Sequence, residues 1–319
     1  MGSFKKYFLY IFKKTALRQA VACFLCVIVA VLQINEMNGF EEYYSPSGMA
    51  TILGVLCMLI PIIELAPFKN RRNLDSLFSL PVSRRKQALA HYLNGVIQIS
   101  VAFTVCCVLA LINLIAYKRG AVIGYFIAYY FLALIAGILI YSVFMLLFDQ
   151  ANTVIDGILF EVLGAFALFF VLQAIRKVIG TVGSHPYPTY IIFDPIGKEG
   201  LYQIVKNCSF SIYWKDIIMI LVWSLIGIVS IIGYFYAFER KKVENVGGIS
   251  DSILGYKLLI PVWAYSLLAL FGSLSSMITF IYLSMLIGYI IYRRGFKFTR
   301  QDLICMAMTI PFCAIGVAA

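Results

Sequence analysis

Charged residues are scarce in this sequence. Only 13% of its 319 residues are Asp, Glu, Lys or Arg, whereas 62% are hydrophobic. A soluble domain carries about 25% charged residues, and the mean hydropathy here is +0.92. These values exclude a soluble globular protein and leave no room for a sizeable soluble domain between the apolar stretches. The sequence therefore predicts an all-α, polytopic helical membrane protein.

The motifs of common catalytic sites are also lacking. The chain contains no Gly-x-x-x-x-Gly-Lys-Ser/Thr, which would cradle nucleotide phosphates, and no His-Glu-x-x-His or Gly-x-Ser-x-Gly. Its only two histidines, His91 and His185, are far apart, and its eight cysteines form no disulfide framework. We predict that the chain is not an enzyme and that it holds no cofactor or metal of its own.

Positive charge outweighs negative charge, with 26 Lys and Arg against 15 Asp and Glu. The basic residues cluster at the ends of apolar stretches. The expected partner is therefore the anionic inner leaflet of a membrane and not nucleic acid. Most of them fall in alternate connecting segments, beginning with the N-terminus. The positive-inside rule then predicts a multi-pass protein of the cell membrane with a cytoplasmic N-terminus.

Apolar stretches long enough to cross a bilayer recur along the chain. We expect six spans within residues 17–242, near 17–35, 48–66, 90–116, 121–148, 154–175 and 215–237. Residues 243–319 carry about three further apolar stretches, near 258–274, 276–292 and from 303 onward. The last stretch ends at Ala319 without a polar flank, so we expect either a carboxylate at the outer headgroups or a longer native chain.

Residues 1–16 precede the first span and show a different pattern. At helical spacing, one face is apolar and the opposite face is basic. The apolar face holds Phe4, Tyr7, Phe8, Ile11 and Phe12, and the basic face holds Lys5, Lys6 and Lys13. The pattern predicts an amphipathic helix that lies in the headgroup layer.

Residues 67–92 form the longest polar interruption in the first half of the chain. If residues 70–79 are helical, Leu74, Leu77 and Phe78 share one face, and Asp75 lies on the other. Pro81 ends this helix, because proline lacks an N–H group and disfavours an α conformation at the preceding residue. The segment predicts a short amphipathic helix, a turn and a basic entry, with Arg84 and Arg85, into the third span.

The order Leu-Phe-Ser-Leu-Pro-Val-Ser-Arg-Arg-Lys, placed after the second span, resembles the cytoplasmic loop of ABC-2-type transporter permeases. The helix before residue 17 is similar to the elbow helix of that family. A second, shorter resemblance lies at 238–248, where a basic patch and Glu-x-x-Gly close the sixth span. A subgroup of the family with this feature carries extra spans, as expected for residues 243–319.

The resemblance implies a six-span permease core at 17–242 that works with separate ABC ATPase subunits. ATP and Mg would be bound by that partner and not by this chain. A second permease chain, identical or different, would complete the transporter, which would export a lipid, peptide or antibiotic as in bacterial relatives. The implied coupling residues are Leu74, Asp75, Leu77, Phe78, Pro81, Arg84 and Arg85.

Acidic residues within spans are costly unless they are paired or wetted. Glu64 lies near the inner end of its span, and we expect it to reach water or the basic pair Arg71 and Arg72. Asp156 lies in the first turn of a helix, where the dipole favours a carboxylate. Glu161 lies too deep in the predicted fifth span to reach water or a basic pair, and it is beyond the first turn of its helix. It is predicted either to line a translocation path or to make a buried interhelical hydrogen bond, with Asn94, Gln98 and Asn113 as candidate partners.

Two other classes of protein remain open at this point. A non-transporting membrane scaffold or sensor subunit would share the composition but would need no ATPase partner. An ion-coupled secondary transporter would need inverted repeats and interrupted helices near the middle of the membrane. No convincing repeat is present, although Pro61 and Pro261 could bend their spans.

Overall fold

The computed structural model describes residues 2–37, 47–116, 120–178, 214–271, 275–296 and 298–309. Within these ranges the chain is all-α, as predicted, and no residue is in a β-strand. The α-helices there are α1 Gly2–Met37, α2 Ser47–Leu65, α3 Arg71–Phe78, α4 Arg84–Ala116, α5 Gly120–Gln150, α6 Val154–Val178, α7 Trp214–Arg240, α8 Leu258–Phe271, α9 Ser275–Arg293 and α10 Arg300–Ala307. Short 3₁₀ helices cover Ala66–Lys69 and Val243–Asn245, and a π-helix with a kink at Gly255 covers Ile253–Lys257.

Three stretches of the described chain are long and apolar enough to cross a membrane by length and composition. They are Met49–Lys69, Arg84–Ile112 and Phe126–Gln150, with mean hydropathies of 2.3, 2.4 and 2.7. They correspond to the second, third and fourth predicted spans. Ile253–Leu268 and Ile278–Arg293 are shorter apolar helices. These apolar helices support the prediction of a membrane protein.

The chain forms two compact units. The first contains α1 to α4, α5 as far as Leu146, and α7. The second contains α5 from Leu147 onward, α6, and α8 to α10. Helix α6 thus lies in the same unit as α8 to α10. The six-span core at 17–242 and the additional spans at 243–319 stay a prediction.

In the first unit, α1 packs along α4 and runs parallel to it. Tyr7 lies next to His91, Thr15 next to Asn94, and Gln19 next to the backbone of Gln98. Successive contacts therefore advance along both helices in the same direction. The position of Tyr141 on α5 also depends on α4, because a Cβ added at Gly95 would overlap the Tyr141 hydroxyl.

The break predicted between an interfacial helix at 1–16 and a first span at 17–35 is absent. Helix α1 is continuous from Gly2 to Met37. Its predicted apolar face is partly used inside the protein, since Tyr7 and Ile11 are buried against Ala90, with Phe4 and Phe8 half-buried beside them. Contact with α4 stabilises the helix across the expected break.

In the second unit, α6 packs on α8, and α8 packs on α9. Phe160 of α6 and Tyr256 of the π-helix meet edge to face, with ring centroids 4.7 Å apart. A Cβ at Gly255 would lie 2.5 Å from the Phe160 ring, so glycine is required for this approach. The segment that leads into α8 is thereby held against the start of α6.

Candidate functional site

Helix α3 has the bounds that its sequence predicts to within one residue at each end. The Asn70 side chain caps it by accepting a hydrogen bond from the backbone N–H of Arg72 at 3.1 Å. At the other end, the Gln87 side chain of α4 donates to the carbonyls of Leu77 and Val82, at 2.9 and 3.2 Å. Both ends of this eight-residue helix are therefore fixed by side chains.

An aromatic cluster holds the apolar face of α3. Phe68, which follows α2, is fully buried, and its ring centroid lies 6.4 Å from that of Phe78 and 5.1 Å from that of Phe238 on α7. The guanidinium of Arg84 lies 4.4 Å from the centre of the Phe78 ring, a distance suited to a cation–π interaction. The cluster joins α3 to the ends of α2, α4 and α7.

Two arginines at the start of α4 extend this connection. Arg84 donates to the carbonyls of Glu239 and Lys241, at 3.2 and 2.9 Å. Arg85 Nε lies 2.7 Å from Glu239 Oε2 in an exposed ion pair. The end of α7 is thus hydrogen-bonded to the turn that follows α3.

The predicted coupling residues divide into two groups. Leu74 is fully buried and Leu77 and Phe78 are half-buried, so much of the predicted apolar docking face packs within the chain. The group exposed to a partner is polar or basic and consists of Asp75, Pro81, Arg84 and Arg85. Docking of an ATPase on this segment stays a prediction, and its contact surface would be the exposed group.

A buried carboxylate lies close to this cluster. Glu64, near the end of α2, is only 2% exposed. Its Oε1 accepts hydrogen bonds from Asn94 Nδ2 and Gln98 Nε2, both at 2.9 Å. Its Oε2 lies 2.9 Å from His91 Nδ1. Three consecutive turns of α4 therefore supply the hydrogen bonds of one carboxylate on α2.

Helix α1 supplies a second layer around the Glu64 site. Tyr7 Oη lies 3.2 Å from His91 Nε2, and the Thr15 hydroxyl lies 3.3 Å from Asn94. Arg18 lies 4.0 Å from Glu64 Oε1, with 40% of its side chain exposed. Burial, together with the charge of Glu64, raises the pKa of Tyr7 to about 12, so its hydroxyl keeps its proton at neutral pH.

The expectation that Glu64 reaches water or the pair Arg71 and Arg72 is wrong. The carboxylate is buried, and its hydrogen bonds come from α4. Asn94 and Gln98, which we considered as partners of Glu161, donate to Glu64. The sequence did contain a signal, because His91, Asn94 and Gln98 recur at helical spacing on one face of α4.

Glu161 is fully buried on α6, as its depth in the predicted span suggests. A role in a translocation path stays a prediction. The side chain of Asn113 is outside the described part of the structure.

A second buried carboxylate, Asp156, organises the second unit. It lies in the first turn of α6, where Thr153 caps the helix by accepting from the Asp156 backbone N–H at 3.1 Å. Its carboxylate accepts hydrogen bonds from Ser250 and Tyr256, both at 2.8 Å. Arg294 lies 3.9 Å from Asp156 Oδ2. The predicted position in a first helical turn is confirmed.

Asp251, which directly follows Ser250, is exposed and does not share the contacts of Asp156. Hydrogen bonds from Lys257 and then from Tyr292 hold the pKa of Asp251 below its usual value. Among the residues that the structure describes, no group of three or more His, Cys, Asp or Glu side chains could hold a metal ion. Hydrogen bonds and ion pairs thus account for Asp156 and Asp251.

Comparison of the chain with protein-family models, with curated proteins and with solved structures gave no match.

Proposed function

We propose that this chain is the membrane subunit of an ATP-driven exporter of the ABC-2 type. In this proposal residues 17–242 supply six spans, the N-terminus is cytoplasmic and the chain lies in the cell membrane. A second permease chain completes the path, and a separate ATPase binds ATP and Mg. The observation that supports it most is a capped, amphipathic helix, α3, fixed between two long apolar helices.

The way α3 is held suits a part that transmits force. Phe68 links it to α2, Gln87 links it to α4, and Phe238 links it to α7. A helix this short is marginal on its own in water, so these contacts determine its position. Displacement of α3 by a partner would therefore move the ends of three longer helices.

The surface available to the ATPase is the exposed side of α3 and the turn after it. Asp75, Ser76, Ser79 and Pro81 are exposed there. Leu80, at 39% exposed, is the most exposed large apolar residue of residues 70–81. This surface is polar apart from Leu80, and protein–protein interfaces commonly surround apolar side chains with a polar rim.

Co-purification with the ATPase tests the proposal. Ser76→Trp places a large ring on the exposed side of α3 and should remove a co-purifying ATPase and its ATP hydrolysis, with no change in the thermal stability of the permease. Asn245→Trp makes the same change at an exposed position in the second unit and should retain both. If no ATPase accompanies the wild-type chain, the proposal is overturned in favour of a scaffold or sensor subunit or an ion-coupled secondary transporter.

A second variant distinguishes a loss of ATPase docking from a loss of permease stability. Leu74 is completely buried, so Leu74→Ala should lower the free energy of unfolding by about 2–5 kcal/mol. Loss of the ATPase in Ser76→Trp that is matched by an equal loss of stability, as in Leu74→Ala, would contradict a docking role for the exposed side of α3.

Thiol labelling tests the proposed orientation. Ser79 is exposed at the end of α3, so a Ser79→Cys variant of a cysteine-free chain should resist a membrane-impermeant reagent in intact cells and react after the membrane is opened. Reaction in intact cells would reverse the orientation and remove the cytoplasmic coupling role.

A further inference from the structure

The Glu64 site contains more potential positive charge than one carboxylate needs. A carboxylate that is 2% exposed is costly unless a cation or several hydrogen bonds compensate it. Arg18 provides one cation at 4.0 Å. His91, at 2.9 Å from the other carboxylate oxygen, provides a second one when its ring is protonated.

We propose that Glu64 and His91 form a proton-binding site, in which a proton taken up by His91 displaces Arg18 from the carboxylate and loosens α1 from α4. Histidine is the side chain that ordinarily changes charge between about pH 5 and pH 8. This inference goes beyond the proposed transport function and does not depend on it, since the site lies within a single chain.

The hydrogen bonds of His91 accommodate both states of the ring. Its Nδ1–H donates to Glu64 Oε2 in either state. When the ring is neutral, the Tyr7 hydroxyl donates to Nε2. When a proton from water binds to Nε2, the new Nε2–H donates and the Tyr7 oxygen accepts. A hydroxyl can take both roles, so the hydrogen bond between Tyr7 and His91 is kept in both states, with its direction reversed.

Charge balance determines what the proton displaces. With a neutral His91, the negative Glu64 and the positive Arg18 compensate each other. With a positive His91, the closer and more buried cation neutralises Glu64, and Arg18 becomes surplus. The Arg18 side chain is already 40% exposed, so it can leave towards water or lipid headgroups at little cost. The contact that it gives α1 is then lost.

Other ionisable groups surround the site on each neighbouring element. Tyr7 and Arg18 are on α1, His91 is on α4, and the buried Tyr141 of α5 interacts electrostatically with Glu64. Lys69 is buried on the 3₁₀ helix after α2. Phenol, ammonium and guanidinium groups ordinarily keep their protons near neutral pH. We therefore assign the exchanged proton to the imidazole of His91, the type of side chain that ordinarily changes charge in this range.

The site is also in contact with the element that we propose as the coupling helix. The His91 ring meets Phe68 edge to face, with centroids 4.9 Å apart, and the Phe68 ring packs on Phe78 of α3. A single aromatic ring, that of Phe68, thus separates His91 from α3. Proton binding would reach α3 through this packed pair as well as α1 through Arg18.

Hydrogen–deuterium exchange of the purified full-length chain in lipid nanodiscs tests the proposal. After correction for intrinsic exchange rates, residues 7–19 of the wild type should lose about three- to fivefold in protection between about pH 8 and pH 6, as expected for the loss of a half-exposed ion pair. His91→Gln still donates to Glu64 but cannot take up a proton, so its protection should stay high at both values. Glu64→Gln cannot hold Arg18, so its protection should be low at both values.

The chain provides its own control, because His185 is its only other histidine. His185→Gln should retain the wild-type pH response, and it leaves His91 as the sole source of a histidine ring signal in a nitrogen NMR spectrum. That signal should gain its second ring proton over the pH range in which α1 loses protection. A ring that keeps one protonation state from about pH 5 to 8, or an equal pH response in wild type and His91→Gln, would overturn the proposal.

Discussion

The two units each bury a carboxylate near a helix end, but they stabilise it differently. Glu64 lies near the C-terminal end of α2, where the helix dipole is unfavourable to a negative charge, and three side chains of α4 compensate it. Asp156 lies in the first turn of α6, where the dipole is favourable. Two hydroxyl groups from the segment before α8 complete its hydrogen bonds.

Glu64 is therefore stabilised by tertiary contacts with another helix, whereas Asp156 is stabilised mainly by its own helix. The position of Asp156 follows from its own helix, and the hydroxyls of Ser250 and Tyr256 add to a site that is already favourable. Glu64 has no such local support, so its charge depends on the register between α2 and α4. We therefore expect Glu64 to respond more strongly to substitution than Asp156 does.

Glu64→Leu should give the largest effect. It leaves Asn94, Gln98 and His91 without their acceptor in a buried site, and the loss of one partner from a buried charged network costs about 3–5 kcal/mol. Thermal unfolding in one detergent measures it against Glu239→Leu, whose side chain is 41% exposed and which should lose less than about 1 kcal/mol. Equal losses in the two variants would show that Glu64 is no more critical than a surface acid.

The sequence predicted the features that depend on local periodicity. The bounds of α3, the apolar face shared by Leu74, Leu77 and Phe78, and the first-turn position of Asp156 each follow from residues within a few positions of one another. The second, third and fourth apolar stretches could also be placed, because their length and hydropathy are properties of single segments.

The sequence could not predict which helices meet. The windows of α2, α4 and α5 are apolar almost throughout, so their periodicity does not specify a contact face or a register. That is why Asn94 and Gln98 were considered for Glu161 when they belong to Glu64. The continuity of α1 escaped prediction for a related reason, since the face that we expected in headgroups is partly covered by α4.

Asp156→Asn should have a smaller effect than Glu64→Leu. The amide keeps one acceptor oxygen for Ser250 or Tyr256, so about one hydrogen bond to a charged group is lost, at a cost of about 1.5–3 kcal/mol. Asp75→Asn, on the exposed side of α3, is the control and should stay within about 0.5 kcal/mol of wild type. The comparison fails if Asp156→Asn is as destabilising as Glu64→Leu in the same unfolding assay.

Gly247→Ala probes the segment that brings Ser250 to Asp156. Gly247 has φ of 82°, and its N–H donates to the carbonyl of Asn152 at 3.0 Å. A Cβ in this left-handed region costs about 1–2 kcal/mol. Gly295→Ala is the matched control, because a Cβ there meets nothing within 4 Å, and its stability should equal that of wild type. An unchanged melting temperature in Gly247→Ala would show that this segment relaxes without strain.

The smallest effect is expected from replacing the two arginines near these carboxylates. The two arginines have nearly the same distance to the carboxylate and similar exposure. Arg18 lies 4.0 Å from Glu64 with 40% of its side chain exposed, and Arg294 lies 3.9 Å from Asp156 with 51% exposed. Solvent screens both pairs, so Arg18→Gln and Arg294→Gln should each lower the free energy of unfolding at neutral pH by less than about 1 kcal/mol. Similar small losses would show that the buried hydrogen-bond donors, and not the arginines, cause the difference in stability between the Glu64 and Asp156 variants. A loss above about 2 kcal/mol in Arg18→Gln alone would instead make Arg18 the main counter-charge of Glu64, because it would show that the hydrogen bonds from α4 do not compensate that carboxylate without it.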